Sequence, residues 1–371
     1  VASIAVEPIV NEAVAAEAHR GLTSTPKSLA PWLFYDEAGS HLFEQITALP
    51  EYYLTRTERS ILTAHADEIF SMLGCPPGSG CPMSGGFSPD VGGPLTLAEP
   101  RTGCPTSGLS DVGLGPQITI AELGAGTASK TGILLRALAR RQHTVLYQPI
   151  DISRTALAEA RDTIEATIPG ILVCPQLANY VADSIHIARE PGSQVLALYI
   201  GSSIGNFAPA EARAILARLR AQLQPGDALL LGTDLAPSAT KSVATLLAAY
   251  DDAAGVTAAF NRNILTRLNR ELGAGFRPGR FAHRALWNPA HSRIEMHLES
   301  QARQAVRIPA LSEESAALTL CFAPGETIHT ENSYKFTRGA IDALLKASAF
   351  TCTRTFTDPQ DLFAVTLATA S

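Results

Sequence analysis

The chain has 371 residues, 46% of them hydrophobic, enough to bury a large core in one domain with an accessory or in two to three domains. A formal net charge of −6 with no long basic run excludes the electrostatic footprint of a nucleic-acid-binding protein. No stretch reaches the roughly 18 uncharged apolar residues of a membrane span, and VASIAVEPIVNEAVAAEAHR carries charges and Pro8 where a signal peptide has a compact apolar core, so a cytoplasmic protein is expected.

In chain order, residues 11–20 read as a helix, followed by a turn at Pro26. His41, Leu42, Glu44, Gln45 and Ile46 suit a second helix, with Ser40 as its cap. Glu58 to Phe70 reads as a third, burying Ile61, Leu62, Ile69 and Phe70. Residues 74–117 are rich in Gly, Pro and Ser and have few core anchors, which predicts an inserted, exposed loop. The cysteines Cys75, Cys81, Cys104, Cys174, Cys321 and Cys352 lack the paired spacing of a zinc site and are expected to be free thiols.

From residue 118 the pattern alternates. ITIAEL, TVLYQPID, ILVCP, QVLALYI and ALLLGTDL read as buried strands, separated by helices over 128–140, 153–166 and 209–223. Strands apolar on both faces and alternating with helices predict an α/β fold with a mostly parallel sheet, and ligands then bind beyond the strands' carboxyl ends. Residues 239–271 read as helical. RIEMHLESQ, QAVRIP, FTCTRTFTD and FAVTLAT read as strands, and ALTLCFAPGETIHTENSYKF as a strand, a turn and the approach to a helix.

The sharpest local signal is AELGAGTASKT, residues 121–131. Glu122 ends a strand, and Gly124 and Gly126 bracket the turn into a helix, where glycine allows positive φ and close backbone approach. The N–H of Thr127 and its neighbours can face a ligand carboxylate. Asp151 ends the next strand, where an acid accepts hydrogen bonds from both ribose hydroxyls. A structural turn, NAD and S-adenosylmethionine all fit this geometry. Ala128 stands where the dinucleotide fingerprint has its third glycine, which tilts the choice modestly toward S-adenosylmethionine, since it has no pyrophosphate. An NAD-dependent oxidoreductase and a binding protein with a degenerate site remain the alternatives.

Other candidates have plain readings too. Asn206, after the fourth strand, is also a turn residue, and Tyr250 a buried aromatic. Of Tyr52 and Tyr53, one belongs to the core and one to the site. Glu331 is either a solvated acid or a partner for an imidazole, with Ser333 two residues on. Met296 faces away from its neighbours Glu295 and His297 and is core or pocket lining. Asp251 and Asp252 do not face one another on a helix and have no histidine at matching spacing, so no metal site is expected.

GLTSTPKSLAPWLFYDEAGSHLFEQITALPEYYLTRTE, ELGAGTASKT, GSSIGNFAPAEA, LQPGDALLLGTDL, AYDDAAGVTAAFNRNIL, RIEMHL and TENSYKF occur in this order between about residue 21 and residue 337. In them the chain resembles the histidine-specific S-adenosylmethionine-dependent methyltransferases of the ergothioneine pathway; residues 74–117 are not covered. The resemblance implies a class I methyltransferase core, Rossmann-like, over 118–240. A substrate lobe is expected from 1–73 and 241–335, with 336–371 returning to the core sheet. It implies three successive methyl transfers from S-adenosylmethionine to the amino nitrogen of histidine, without a metal. The amino-acid carboxylate falls to Asn206 and Tyr250, with Tyr52 nearby, and the imidazole to Glu331 and Ser333, with Met296 against the ring. Tyr35 and Phe43 lie near substrate and cofactor, and Asp151 holds the ribose. Gly124, Gly126, Thr127 and Lys130 surround the methionine end. Where the family commonly has Asp-Phe at the adenine, this chain has Asn179-Tyr180, whose side-chain oxygen still accepts a hydrogen bond. Another amino acid such as tryptophan, or a histidine derivative, is the alternative substrate; an acid at 331 favours histidine. Partners are otherwise not expected, and a monomer is the expectation.

Overall fold

The computed structural model describes residues 12–75, 117–181, 183–310 and 317–371. The described chain opens with α1 (Glu12–Thr23), β1 (Lys27–Ser28), α2 (Glu37–Ala48) and α3 (Tyr53–Met72). The alternating part holds β2 (Ile118–Leu123), α4 (Thr131–Ala139), β3 (Val145–Asp151), α5 (Arg154–Thr167), β4 (Ile171–Val173), β5 (Gln176–Leu177), β6 (Gln194–Tyr199), α6 (Pro209–Gln222) and β7 (Ala228–Asp234). There follow α7 (Val243–Ala248), α8 (Val256–Leu272), β8 (Phe281–Asn288), β9 (Arg293–Ser300), β10 (Gln304–Ile308), β11 (Leu318–Phe322) and β12 (Thr327–Tyr334). The chain closes with α9 (Arg338–Ala347), β13 (Phe350–Thr357) and β14 (Phe363–Ala370). The expected loop at 74–117 lies, apart from its ends, outside the described residues.

The main sheet runs β13-β14-β7-β6-β2-β3-β4, with β5 pairing the end of β3. β4, β3, β2, β6 and β7 are parallel, and β14 inserts antiparallel between β7 and β13. Every residue of β2 and β7 is buried. Successive side chains leave on opposite faces: Leu230 joins the core beneath α3 and α4, while Leu229 and Leu231 join the one beneath α6 and α9. This strand order, with its reversed penultimate strand, is that of the class I methyltransferase fold.

A second sheet, β1-β12-β9-β8, is antiparallel except for β1 against β12. Its inner face turns to α8. Ile294, Met296 and Leu298 point inward and alternate with the half-buried Arg293, Glu295 and His297, which is the period-two pattern of a half-covered strand. Phe260 of α8 stacks on Phe34 at 4.4 Å, joining the N-terminal segment to this layer.

Several expectations are corrected. The cap of α2 is Asp36, which accepts from Gly39 N at 2.8 Å; Ser40 lies within the helix. Residues 239–271 are two helices, because Gly255 takes φ +76° and Asp252 starts α8 by accepting from Val256 N and Thr257 N at 3.0 and 2.7 Å. TENSY continues strand β12 instead of approaching a helix, and β8 occupies a segment to which no element was assigned. Cys321 and Cys352 are free thiols as expected, but Cys174 is disulfide-bonded, because linear spacing does not report on cysteines distant in sequence. Among the described residues no helix is long and apolar enough to cross a membrane.

Candidate active site

A cavity of about 1070 Å³ opens at the carboxyl ends of β2, β3 and β6 and extends under the N-terminal segment. Its floor is the turn after β2. Gly124 adopts φ +67° and donates from its N to Ile150 O at 2.8 Å, which ties the turn to β3. Gly126 adopts φ +52°, and no atom lies within 4 Å of where its Cβ would stand, so the backbone is open to a ligand there. Ala128 has φ +53°, a left-handed conformation uncommon for any residue but glycine, at the position of the missing third glycine.

Asp151 is oriented by the same turn. One carboxylate oxygen accepts from Gly126 N at 2.9 Å and the other from Ser153 N at 2.8 Å. Burial raises its pKa, and these amides pull it back. Each oxygen keeps a lone pair, so the pair matches a ribose diol. Glu122 borders the cavity but its carboxylate is committed to the protein. Its carboxylate accepts from Thr131 Oγ1 at 2.8 and 2.7 Å and from Tyr147 Oη at 2.5 Å, fastening the start of α4 to the end of β2. Burial pushes it up to about 7, while the hydroxyls and Lys130 act to lower it.

Asn179 and Tyr180 follow β5, next to the end of β3, and both line the cavity. Asn179 Oδ1 already accepts from Val181 N at 3.1 Å, and the Tyr180 ring lies against Gly124. Thr127 and Lys130 line the same end. Lys130 Nζ pairs with Glu58 of α3 at 2.5 Å. Glu58 is fully buried and also accepts from Gly201 N at 2.8 and 3.0 Å, so one carboxylate holds the lysine and the turn after β6 together. Sequence reasoning missed it. The available signal was an acid on the apolar face of a helix: Glu58 is four residues from Leu54 and Leu62 and three from Ile61, all buried.

At the other end the cavity is walled by Tyr35, Phe43, Tyr52 and Asn206. Phe43 stands edge-on to both Tyr35 and Tyr52, with centroids at 5.7 and 6.3 Å. The structure separates the adjacent tyrosines: Tyr52 lines the cavity, whereas Tyr53 donates to Asp234 at 2.9 and 3.0 Å inside the core. Tyr250, Met296, Glu331 and Ser333 are not in the cavity wall; they lie buried behind it, with the Tyr250 and Tyr52 rings at 6.3 Å.

Glu331 reaches this position through a bulge. His329 pairs with His297 and Glu331 with Met296, so Thr330 is the extra residue, and both Thr330 and Glu331 turn inward. Glu331 is 9% exposed, and among the described residues its carboxylate has no hydrogen-bond partner. Burial pushes it up to about 7, against the opposing pull of the Lys335 ammonium. Asp252 is a helix cap, and among the described residues no cluster of His, Cys, Asp and Glu could hold a metal ion.

The strand order, the glycine turn after the first core strand and the acid ending the second define a class I methyltransferase, and the residues around Gly126 and Asp151 fit S-adenosylmethionine as methyl donor. The chain belongs to the histidine-specific, S-adenosylmethionine-dependent methyltransferase family, which it matches over residues 14–370. It is 39% identical over 360 residues to a histidine N-alpha-methyltransferase of Mycolicibacterium smegmatis, covering 96% of this chain and 95% of the relative. Identity to the histidine N-alpha-methyltransferase of Mycobacterium tuberculosis is 38% over 352 residues, covering 95% and 93%. Ergothioneine biosynthesis protein 1 of Schizosaccharomyces pombe is 29% identical over 249 residues, which are 65% of this chain and 26% of that protein.

Replacing Asp151 with Ala removes the paired carboxylate oxygens beside Gly126 and, if they accept from the ribose, is expected to weaken S-adenosylmethionine binding about ten- to a hundredfold, the equivalent of roughly 1.5–3 kcal/mol for hydrogen bonds to a charged group. Titration calorimetry on the folded variant measures this; unchanged affinity removes Asp151 from that role.

Proposed function

We propose that this chain transfers methyl groups from S-adenosylmethionine to the α-amino nitrogen of histidine. Three transfers give the trimethyl betaine hercynine, in the cytoplasm, as a step of ergothioneine biosynthesis. The observation that carries the reading is Glu331, a buried carboxylate without a hydrogen-bond partner among the described residues, on the strand face that also bears Ser333 and directly across the ladder from Met296. A buried acid left in that state is costly unless a ligand completes it, and an imidazole N–H does so.

S-adenosylmethionine supplies an electrophilic methyl on a sulfonium, and the chain's residues supply position. The nucleophile is the neutral amine. The α-amino group is mostly protonated at neutral pH, so the site binds its neutral minority form and orientation of that lone pair toward the methyl contributes most. Asn206 and Tyr52 are assigned to the substrate carboxylate, and Tyr250, whose hydroxyl is bonded to Ser333 and Lys335, stands behind them. The Asn206 amide and the Tyr52 and Tyr35 hydroxyls have no hydrogen-bond partners among the described residues, so they are available to it. Tyr35, Phe43 and Tyr52 exclude water from the reacting nitrogen. Each transfer releases a proton, and the series ends at three because the nitrogen then has no lone pair.

We assign the substrate lobe to 1–73 and 241–335. The test is turnover with each of the twenty amino acids in the presence of S-adenosylmethionine. Histidine is expected to exceed tryptophan by at least about two decades in kcat/KM, because an indole leaves the Glu331 carboxylate and the Ser333 hydroxyl incompletely paired. Comparable turnover of both rejects the assignment.

A further inference from the structure

Glu331, Ser333 and Lys335 leave the same face of the chain, two residues apart. The Lys335 side chain is fully buried. Its Nζ donates to Asp234 Oδ2, Tyr250 Oη and Ser333 Oγ, each at 2.8 Å. An ammonium has three N–H donors, and here three acceptors use them. Asp234, at the end of β7, also accepts from Lys241 at 2.5 Å and from Tyr53. It therefore keeps two partners of its own if Lys335 is removed.

We propose that Lys335 is a positioning residue for substrate recognition: by donating to Tyr250 and Ser333 together, it fixes the Ser333 hydroxyl as a hydrogen-bond donor toward the substrate ring. The proposal rests on the reading of Ser333 as a contact to the substrate ring. Both hydroxyl oxygens accept from Lys335, and the two lie 2.7 Å apart, so one hydrogen sits between them. A phenol is the more acidic donor and the poorer double acceptor, so Tyr250 donates and Ser333 accepts. Ser333 then accepts twice, from Lys335 and from Tyr250, and its own hydrogen is left for the substrate.

The consequence is a matched pair on one strand face. Glu331 accepts, and Ser333 donates. A neutral imidazole presents one N–H and one bare nitrogen, the complement of that pair. Without Lys335 the two hydroxyls can exchange roles, and the donor is no longer directed at the ring. Lys335 also joins the core carboxylate Asp234 to the substrate-facing hydroxyls, so recognition is anchored at the end of β7 and not on the lobe sheet alone.

The test is a double-mutant cycle on histidine KM with Lys335→Met and Ser333→Ala. Each single change is expected to raise KM about tenfold, the cost of one lost or misdirected hydrogen bond. If Lys335 acts through Ser333, the double variant matches Lys335→Met within about twofold. The S-adenosylmethionine dissociation constant stays within about twofold throughout, which a general loss of structure would not allow. Multiplying effects overturn the proposal and leave the ring contact of Ser333 standing. An unchanged KM in Ser333→Ala alone rejects the ring contact and the proposal with it. If Lys335→Met does not fold, Lys335→Leu, which likewise removes all three donors, carries the same cycle and is judged by the same outcomes.

Discussion

Glu331→Gln is expected to lower kcat/KM for histidine about ten- to a hundredfold and, at the same time, to make the protein more stable above pH 7. On the proposed assignment the activity loss follows from replacing a charged acceptor for the imidazole by a neutral one, roughly 1.5–3 kcal/mol. The gain in stability follows from the state of the carboxyl in the fold. Burial lifts its pKa from the ordinary 4.5 to about 7. Between those values the folded state holds a proton that the unfolded chain has lost, so stability falls as pH rises through this window. Above pH 7 the ionised, buried carboxylate costs about 3 kcal/mol relative to a neutral group, by the conversion of roughly 1.4 kcal/mol per pKa unit. The variant's advantage is therefore full at pH 8, shrinks on acidification and vanishes below about pH 4.5. Denaturant unfolding at pH 8 and pH 4.5, beside kcat/KM for histidine and tryptophan, reads both effects. A variant less stable at pH 8, with an unchanged histidine-to-tryptophan ratio, would assign Glu331 to the fold and not to the substrate.

Glu58→Ala carries the largest expected stability loss. The carboxylate is fully buried, grips Lys130 at 2.5 Å and accepts from Gly201 N. Its removal leaves a lysine without its partner and a backbone amide without its acceptor, which costs about 3–5 kcal/mol. Gly232 shows how tightly the group is held, since a Cβ there would stand 2.1 Å from Glu58 Oε1. Because Lys130 and Gly201 both line the cavity, S-adenosylmethionine affinity falls together with stability. Thermal melts and titration of the methyl donor test this, and a variant within about 0.5 kcal/mol of the parent with unaltered affinity would contradict it. Glu58→Gln keeps one acceptor and is expected to fall between the two.

The core was legible because its physics is local. Strands buried on both faces must be apolar along their whole length, and ITIAEL and ALLLGTDL announce themselves that way. The glycines at 124 and 126 and the acid at 151 are legible for the same reason: each is required by its own backbone position. The second sheet was harder. Phe281–Asn288 alternates only loosely between buried and exposed positions, so the run FAHRALWN carries no clean period. In Thr327–Tyr334 a bulge puts Thr330 and Glu331 on the inner side together, which breaks the alternation and hides a strand among polar residues. The bulge is also what aims Glu331 inward, so the feature that obscured the element belongs to the candidate site. Glu58 and Lys335 escaped because the partners that bury each charge lie far away in sequence, Lys130 and Gly201 for one and Asp234 and Tyr250, besides the nearby Ser333, for the other. Only the packing of the N-terminal segment and the lobe strand onto the ends of the core strands brings them together.

The most direct test of the account is fragmentation mass spectrometry of the product formed from histidine and S-adenosylmethionine, because it reports both how many methyl groups are added and which nitrogen carries them. The account predicts a product heavier by three methyl units, all lost with the α-nitrogen on fragmentation and none retained on the imidazole ring. Methyl groups on the ring, or no mass change in a protein that binds S-adenosylmethionine, would contradict it.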